Sequence, residues 1–214
     1  VIDINNSYSV NNVEYGTKTT YEDKIKEGYR FKEVVNNETE VINNDVVVKV
    51  YYEKIKDLSY EVKYYFDGVE NKDLSYTENN VEYGTATKYK EVDYTGYYKV
   101  SEESVGIKVT DNSLVVKVYF EKIKDLSYKV EYYYDGVKEI EASYSVNNVE
   151  YGTETTFIDK KKTGYKLSNV ENNKVLVKDN HLVVKVYYEK DTFNYTVKYY
   201  YDNILDTNAT ETNS

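Results

Sequence analysis

One histidine, many carboxylates and 29 tyrosines are the side chains of this 214-residue chain that could do chemistry. His181 is replaced by Ser113 and Asp45 at the equivalent positions of the repeats described below, and a lone histidine cannot build a metal site. The chain has no cysteine, which excludes thiol nucleophiles, and no Gly-x-Ser-x-Gly motif for a serine nucleophile. We therefore predict no enzyme activity, no catalytic or metal-binding residue and no cofactor.

The carboxylates that recur along the chain suit a structural role better than acid–base catalysis. Glu14, Glu82 and Glu150 each precede a Tyr-Gly pair, so a catalytic role would require three identical sites. A calcium loop needs oxygen ligands at alternating positions, and the Asp-Gly pairs of this chain lack that spacing. We interpret these glutamates as solvated or hydrogen-bonded structural residues.

Lysine and asparagine are abundant enough to raise the question of a Lys–Asn isopeptide crosslink. Such a bond would need a lysine, an asparagine and an acid buried together. The recurring Lys49, Lys117 and Lys185 alternate with valines in Val-Lys-Val and fall on the outward face of their strand. We therefore expect no crosslink, and an intact mass lower by about one ammonia per repeat would contradict this.

The excess of tyrosine is the remaining candidate for binding chemistry. Tyrosines on the outward register could stack on sugar rings or on a partner protein. The predicted ligand-facing residues are Tyr51, Tyr65, Tyr119, Tyr133, Tyr187 and Tyr200. The alternative is that tyrosine replaces phenylalanine on strands with two half-exposed faces, where a ring with a polar tip is suitable.

The charge and hydrophobicity of the chain exclude two classes of partner. The net charge is −10, with acidic and basic residues interspersed, so the chain has no basic patch for phosphates and repels nucleic acid and anionic lipid. No apolar run approaches the roughly 20 residues that span a bilayer. The absence of cysteine and methionine, which oxidise readily, suits an extracellular position.

The elements that must position these side chains belong to one module repeated at a spacing of 68 residues. Gly16, Gly84 and Gly152 lie in Val-Glu-Tyr-Gly-Thr, and residues 7–17 are identical to residues 143–153. A fixed period of this kind is typical of tandem arrays, which serve length, valency or stacking. The predicted organisation is repeat 1 at 1–56 without its first strand, repeat 2 at 57–124, repeat 3 at 125–192, and a further first strand plus polar tail at 193–214.

Each repeat opens and closes with a predicted strand. Residues 60–66 alternate, with tyrosine, valine and phenylalanine on one face, and the pattern returns in residues 128–134 and 195–201. Residues 114–121 show the same alternation at the end of repeat 2. The Asp-Gly pairs after the first two opening strands predict hairpin turns. The predicted fold class is therefore mostly β, and α+β at most.

One helix and a stiff connection between repeats complete the predicted architecture. Residues 21–27 form the only plausible helix, which Gly28 would end. Residues 51–60 and 119–128 join successive repeats without a flexible spacer, so we expect a rod. At about 3.3 Å per strand residue, the rod would span roughly 100 Å.

These motifs resemble the MucBP-type and Listeria–Bacteroides-type repeats of Gram-positive surface proteins. The matching motifs are Tyr-x-Val-x-Tyr-Tyr-x-Asp-Gly, Tyr-Gly-Thr, Gly-Tyr and Val-Val-Lys-Val-Tyr-Tyr. The resemblance implies small β-grasp-like modules of mostly antiparallel strands on an extracellular protein at the cell surface of a Gram-positive bacterium. It also implies attachment to a host glycan or glycoprotein, or a spacer role, and it provides no catalytic residues.

The frame of the repeat leaves a first strand absent at one end and present in excess at the other. Repeat 1 lacks the counterpart of residues 57–68, whereas residues 193–203 are an extra copy of it. The predicted strand donors are Tyr195, Val197, Tyr199 and Tyr201, which could enter the incomplete repeat of another molecule and build an open filament. The alternative is a fragment of a longer array with arbitrary ends.

The sequence thus predicts a non-enzymatic repeat region of a cell-surface protein that acts as an adhesive or spacer stalk. The alternative function is a self-assembling extracellular fibre subunit, joined head to tail by donation of residues 193–203. The predicted partners are a host glycan or glycoprotein, or a second copy of the chain. We expect no nucleic-acid partner and no membrane insertion.

Overall fold

The computed structural model describes residues 3–213, with side chains through Thr207. It contains one 3-10 turn, η1 (Ile4–Asn6), and the strands β1 (Tyr29–Val35), β2 (Lys49–Lys54), β3 (Leu58–Phe66), β4 (Val69–Glu70), β5 (Tyr76–Val81), β6 (Tyr97–Glu103), β7 (Val115–Lys122), β8 (Leu126–Tyr134), β9 (Val137–Val149), β10 (Tyr165–Glu171), β11 (Val183–Lys190), β12 (Tyr195–Tyr201) and β13 (Ile204–Asn213). Strands make up 48% of the chain and this described range holds no α-helix, which confirms the predicted mostly-β fold.

The described chain divides into two compact units. One holds the residues up to Asp93 together with residues 99–121, and the other holds residues 94–98 together with those from Lys122 onward. This division runs through repeat 2 rather than between repeats. The repeat boundaries after residues 56, 124 and 192 therefore stay a prediction.

The second unit contains a four-stranded sheet in the order β10-β11-β8-β9. The outer pairs are antiparallel, whereas the central pair, β8 with β11, is parallel and in register from Val183 opposite Lys129 to Tyr188 opposite Tyr134. A parallel pair needs a long crossover, and residues 135–182 provide it. The expected antiparallel pairing thus holds for the edges of the sheet, and its centre is parallel.

The remaining sheets differ in how many strands they contain. In the first unit, β3 is parallel to β7 in a sheet of order β4-β3-β7-β6, with β5 also paired to β3. Two other sheets have only two strands each, β1 with β2 and β12 with β13. The segment predicted as a polar tail is therefore the second strand of a hairpin.

Alternation along the central strands builds the core, as predicted. Val130, Tyr132, Val184 and Val186 are fully buried in the second unit, and β3 and β7 bury Tyr60, Val62, Tyr64, Val116, Val118 and Phe120 in the first. Phe66, which was predicted to share this face, is half-buried. Valine and aromatic residues at every second position make this a strand core.

Tyrosine hydroxyls connect the buried face to segments without regular structure. Tyr132 Oη donates to the carbonyl of Ile158 at 2.5 Å, and Tyr134 Oη donates to that of Lys160 at 2.9 Å. In the first unit Tyr64 Oη donates to the carbonyl of Lys90 at 2.5 Å. A buried hydroxyl needs a partner, so these bonds both satisfy the tyrosines and hold an irregular segment across the sheet.

The hairpin prediction is confirmed and the helix prediction is wrong. Asp135 and Gly136 have φ of 47° and 77°, the left-handed values that a two-residue hairpin turn requires. Residues 21–27 form no helix; the Lys24 N–H donates to Tyr52 Oη at 2.9 Å instead. Two helical turns cannot offset the cost of nucleating a helix without packing an apolar face.

Candidate functional site

Four of the six predicted ligand-facing tyrosines stack on each other in pairs. Tyr65 and Tyr119 have ring centroids 5.3 Å apart with an interplanar angle of 24°, and Tyr133 and Tyr187 have centroids 5.1 Å apart with an angle of 22°. The pairs arise because the two parallel strands are in register, so that a tyrosine on one strand lies directly opposite a tyrosine on the other. Each of these rings is half-buried, and its partner stacks on one of its faces.

Charged residues surround the Tyr133–Tyr187 pair. Tyr133 Oη donates to Glu131 Oε2 at 2.8 Å, and this bond raises the pKa of Tyr133 to about 12. Lys138 Nζ lies 2.6 Å from Glu131 Oε1 and holds the pKa of that carboxyl below its usual range. Burial is the main cause that raises the pKa of Tyr187, and a hydrogen bond to Glu171 raises it further. Both hydroxyls therefore stay protonated at neutral pH, which suits hydrogen bonding and stacking rather than proton transfer.

The other two predicted ligand-facing tyrosines lie on strands that have a partner on one side only. Tyr51 on β2 is 42% exposed and Tyr200 on β12 is 57% exposed. In the described sheets β2 pairs only with β1, and β12 pairs only with β13. The structure therefore separates the six predicted residues into two stacked pairs and two tyrosines on open sheet edges.

The open edge of β2 exposes side chains that an identical segment buries elsewhere. Residues 47–54 have the same sequence as residues 183–190. In β11, Val186 is 0% and Tyr188 2% exposed. Their counterparts Val50 and Tyr52 are half-buried. The difference lies in the neighbouring strand, since β11 has β8 beside it.

The same comparison identifies backbone groups left open on β2. Along the parallel pair in the second unit, the Lys129 N–H donates to the Leu182 carbonyl at 3.0 Å, and the Asp135 N–H donates to the Tyr188 carbonyl at 3.0 Å. The equivalent carbonyls in repeat 1 belong to Val46 and Tyr52. Neither receives a backbone donor of this kind within the part of the chain that the structure describes. Such an edge is a template for another strand.

β12 is a strand, as predicted, and its side chains are more exposed than those of the equivalent strand β8. Of the four predicted strand donors, Val197 is half-buried and the three tyrosines are exposed. Phe193, just before β12, is 83% exposed, whereas its counterpart Leu126 is buried opposite Val149. The predicted donors are Tyr195, Val197, Tyr199 and Tyr201, and their buried counterparts in β8 are Tyr128, Val130, Tyr132 and Tyr134.

A second recurring contact, which the sequence interpretation missed, lies at the joint between consecutive repeats. In the first unit the ring of Tyr83 covers Gly28 so closely that a Cβ at this glycine would lie 2.7 Å from Tyr83 Cδ1. In the second unit the ring of Tyr151 covers Gly96 in the same way. The Gly-Tyr and Tyr-Gly-Thr motifs were visible in the sequence, but no periodicity indicates that they meet.

The remaining candidate groups for chemistry lie on the surface. The His181 side chain is 91% exposed, with Nδ1 3.5 Å from the Asp179 carboxylate. Glu82 forms ion pairs with Lys54 and with Lys56, the latter at 3.4 Å, and Glu150 pairs with Lys122 at 2.6 Å. Across residues 3–213 no three potential metal ligands cluster, and no helix is long and apolar enough to cross a bilayer.

Comparisons with known proteins find similarity among solved structures. No family model and no curated protein matches the chain, so the predicted resemblance to MucBP-type and Listeria–Bacteroides-type repeats gains no support from them. Among solved structures, the chain is similar to Streptococcal High Identity Repeats in Tandem (SHIRT) domains 3-4 from a cell surface protein. The identity is 12% over 62% of this chain and 98% of that chain, with a TM-score of 0.30. A likeness of this extent carries neither fold nor function from one protein to the other.

Proposed function

We propose that the chain is a non-enzymatic repeat region of an extracellular protein on the surface of a Gram-positive bacterium, and that it acts as a spacer stalk. The observation that carries this proposal is the recurrence of the Tyr-on-Gly joint, which packs consecutive repeats against each other twice by the same residue types. A joint filled by a packed ring limits bending more than a solvated linker does. Repetition of such a joint converts repeat number into length.

The paired tyrosines favour a spacer over an adhesin. A ring that stacks on its neighbour at 5.1 to 5.3 Å offers only its outer face to a sugar. Glycan-binding aromatic side chains need an accessible face for stacking. The pairs instead contribute to the stability of each parallel strand pair, because cross-strand aromatic pairs are stabilising.

A binding assay separates the spacer from the adhesin. The chain would be passed over immobilised mucin and a panel of host glycans, next to the variants Tyr65→Ala and Tyr133→Ala. The spacer proposal expects no saturable binding by any of the three proteins. Saturable binding that weakens about tenfold or more in either variant would overturn the spacer and establish the adhesin.

A second candidate function is head-to-tail assembly by strand addition, favoured by the two open edges. Placing β12 beside β2 in the register of β8 beside β11 sets Val197 opposite Val48, Tyr199 opposite Val50 and Tyr200 opposite Tyr51. This arrangement would extend the stacked tyrosine pairs to a third pair. The N–H groups of Thr196 and Asp202 would then reach the open carbonyls of Val46 and Tyr52.

Strand addition predicts concentration-dependent association of the chain. Sedimentation velocity over rising protein concentration should show growing species for the unaltered chain. The variant Val197→Lys, which would place a charge opposite Val48, should weaken association by about tenfold or more. Ile140→Lys, on an exposed position of β9, is the matched control and should behave like the unaltered chain. Equal association of all three proteins would rule out strand addition.

A further inference from the structure

A shallow recess at Gly164 closely resembles the two joints that tyrosines fill elsewhere in the chain. Gly28 and Gly96 are both buried, whereas Gly164 is exposed and has nothing within 4 Å of the position that a Cβ would occupy. The recess is lined by residues that include Thr163, Tyr165, Leu167 and Asp191.

The backbone of this recess forms the same hydrogen bond as the two joints that a tyrosine fills. At the filled joints, the Ile55 N–H donates to the Gly28 carbonyl at 3.0 Å and the Ile123 N–H donates to the Gly96 carbonyl at 2.9 Å. At the open recess the Asp191 N–H donates to the Gly164 carbonyl at 2.9 Å. The same local geometry therefore forms with and without a covering ring.

Two further interactions accompany the ring at each filled joint. The Tyr83 N–H donates to the Ile55 carbonyl at 2.9 Å, and the Tyr151 N–H donates to the Ile123 carbonyl at 2.8 Å. The preceding glutamate pairs with a lysine of the earlier repeat, as Glu150 does with Lys122 at 2.6 Å. At the open recess the equivalent groups are the Asp191 carbonyl and Lys190.

The chain also carries a Tyr-Gly turn whose ring covers nothing in the described structure. Tyr15 is 84% exposed, and Glu14 precedes it as Glu82 and Glu150 precede the other two tyrosines. The turn already has its final shape, because the Gly16 N–H donates to the Val41 carbonyl at 3.0 Å, as the Gly152 N–H does to the Val177 carbonyl at 2.8 Å. The exposed Tyr15 ring, the formed turn and the Glu14 carboxylate thus match the groups that occupy the filled joints.

We propose that the Gly164 recess binds the Glu14-Tyr15-Gly16 turn of a second copy of this chain. The Tyr15 ring covers Gly164, the Tyr15 N–H donates to the Asp191 carbonyl, and Glu14 pairs with Lys190. This proposal rests on the head-to-tail assembly described above and adds a second contact to it. The recess and the turn are different surfaces, so the contact is heterologous.

The test uses a chain without cysteine, in which introduced thiols report only the intended positions. Chains with Glu14→Cys and chains with Lys190→Cys would be mixed and treated with a short bismaleimide. These positions correspond to Glu150 and Lys122, whose charged atoms lie 2.6 Å apart at a filled joint, and both variants keep the Tyr15 ring. We expect a crosslinked dimer in the mixture and none with either variant alone. Absence of the mixed product, or equal product from one variant alone, would overturn the proposal.

A second measurement separates this contact from strand addition. Tyr15→Ala should weaken association in sedimentation velocity by about tenfold, the effect of losing a buried aromatic anchor, whereas Ile140→Ala should not. Because Tyr15 is exposed within one chain, the variant keeps the fold. If association resists Tyr15→Ala but falls with Val197→Lys, the recess proposal fails and strand addition stands. If Val197→Lys abolishes both association and the mixed crosslink, the two contacts belong to one assembly, as proposed.

Discussion

Two segments of this chain share eight residues and differ in their surroundings. Residues 183–190 form β11 in full, and the inward residues Val184 and Val186 are completely buried. Residues 47–54 have the same sequence, yet the strand begins only at Lys49, and the inward counterparts Val48 and Val50 are half-buried. Burial of this segment therefore depends on its parallel neighbour and not on its sequence alone.

The same comparison explains how the tyrosine hydroxyls are held. Tyr188 and Tyr52 both hydrogen-bond an aspartate, Tyr188 at 2.5 Å to Asp159 and Tyr52 to Asp23. Burial is the main cause of the raised pKa of Tyr188, whereas the bond to Asp23 is the main cause for Tyr52. The hydrogen bond to aspartate therefore forms without a neighbouring parallel strand. Burial of the tyrosine ring requires that strand.

Truncating Tyr188 and its counterpart Tyr52 to alanine is expected to give the largest difference in stability between the two segments. Tyr188→Ala removes a fully packed ring and should lower the local free energy of opening by roughly 3–5 kcal/mol. Tyr52→Ala removes a ring that is already partly in water and should cost well under half of that. Hydrogen exchange with mass spectrometry, read on peptides that cover β11 and β2, measures both. Equal losses would show that the open edge is as well packed as the closed one.

Adding a methyl group at a filled joint should have the next largest effect. Gly96→Ala would force Tyr151 away and would also place a side chain at φ 83°. Gly164→Ala meets the same backbone strain at φ 77° but no neighbouring atom. We expect Gly164→Ala to cost about 1 kcal/mol from strain alone and Gly96→Ala clearly more. Thermal unfolding of the two variants decides this, and equal melting temperatures would contradict the packed joint.

Alkaline pH should weaken the closed sheet through its buried tyrosines. Burial raises the pKa of Tyr132 and Tyr188 above the ordinary value of 10.0. The unfolded chain therefore loses these protons first, so their stabilising contribution is intact below pH 10 and falls as the pH rises further. The loss is at most about 1.4 kcal/mol per group and pH unit. Urea unfolding at pH 8 and pH 11 measures it, and Tyr188→Phe should reduce the difference.

Removing a single hydroxyl should have the smallest effect. Tyr132→Phe keeps the ring but leaves the Ile158 carbonyl without its 2.5 Å bond. We expect a loss of about 1 kcal/mol and faster hydrogen exchange in residues 155–162. Tyr144→Phe, on the half-buried neighbouring ring, removes the bond to the Ile158 N–H and serves as the matched control, with a smaller loss. If Tyr132→Phe leaves the free energy of unfolding unchanged, the hydroxyl contributes nothing and phenylalanine would serve equally well at this position.

The sequence predicted the central strands because their periodicity carries a strong signal. Residues 60–66 and 128–134 alternate over a full strand, and their Asp-Gly pairs indicate the turn that follows. The edge strand β10 was missed, because its exposed polar residues show no alternation. The charged residues 21–27 indicated a helix, and only tertiary bonds such as Lys24 to Tyr52 show why none forms.

The candidate site was predictable only in part. Outward alternation identified the tyrosines, but their stacking depends on the parallel register of β8 and β11, which no local pattern encodes. The joint between Tyr151 and Gly96 links residues that are far apart in the chain. Contacts of this kind follow from topology, and a single sequence does not show topology.

Strand addition, as proposed above, would pair β12 of one molecule in parallel with β2 of another. It can be tested by mixing chains that carry Tyr51→Cys with chains that carry Tyr200→Cys under mild oxidation. Adjacent strands lie about 4.7–4.9 Å apart, within the range for a disulfide. We predict a mixed disulfide that forms much faster than in a control mixture of Val69→Cys with Tyr200→Cys, although Val69, on the β3–β4 hairpin, is 71% exposed and Tyr51 only 42%. Equal rates in the two mixtures would rule out parallel pairing of β12 with β2.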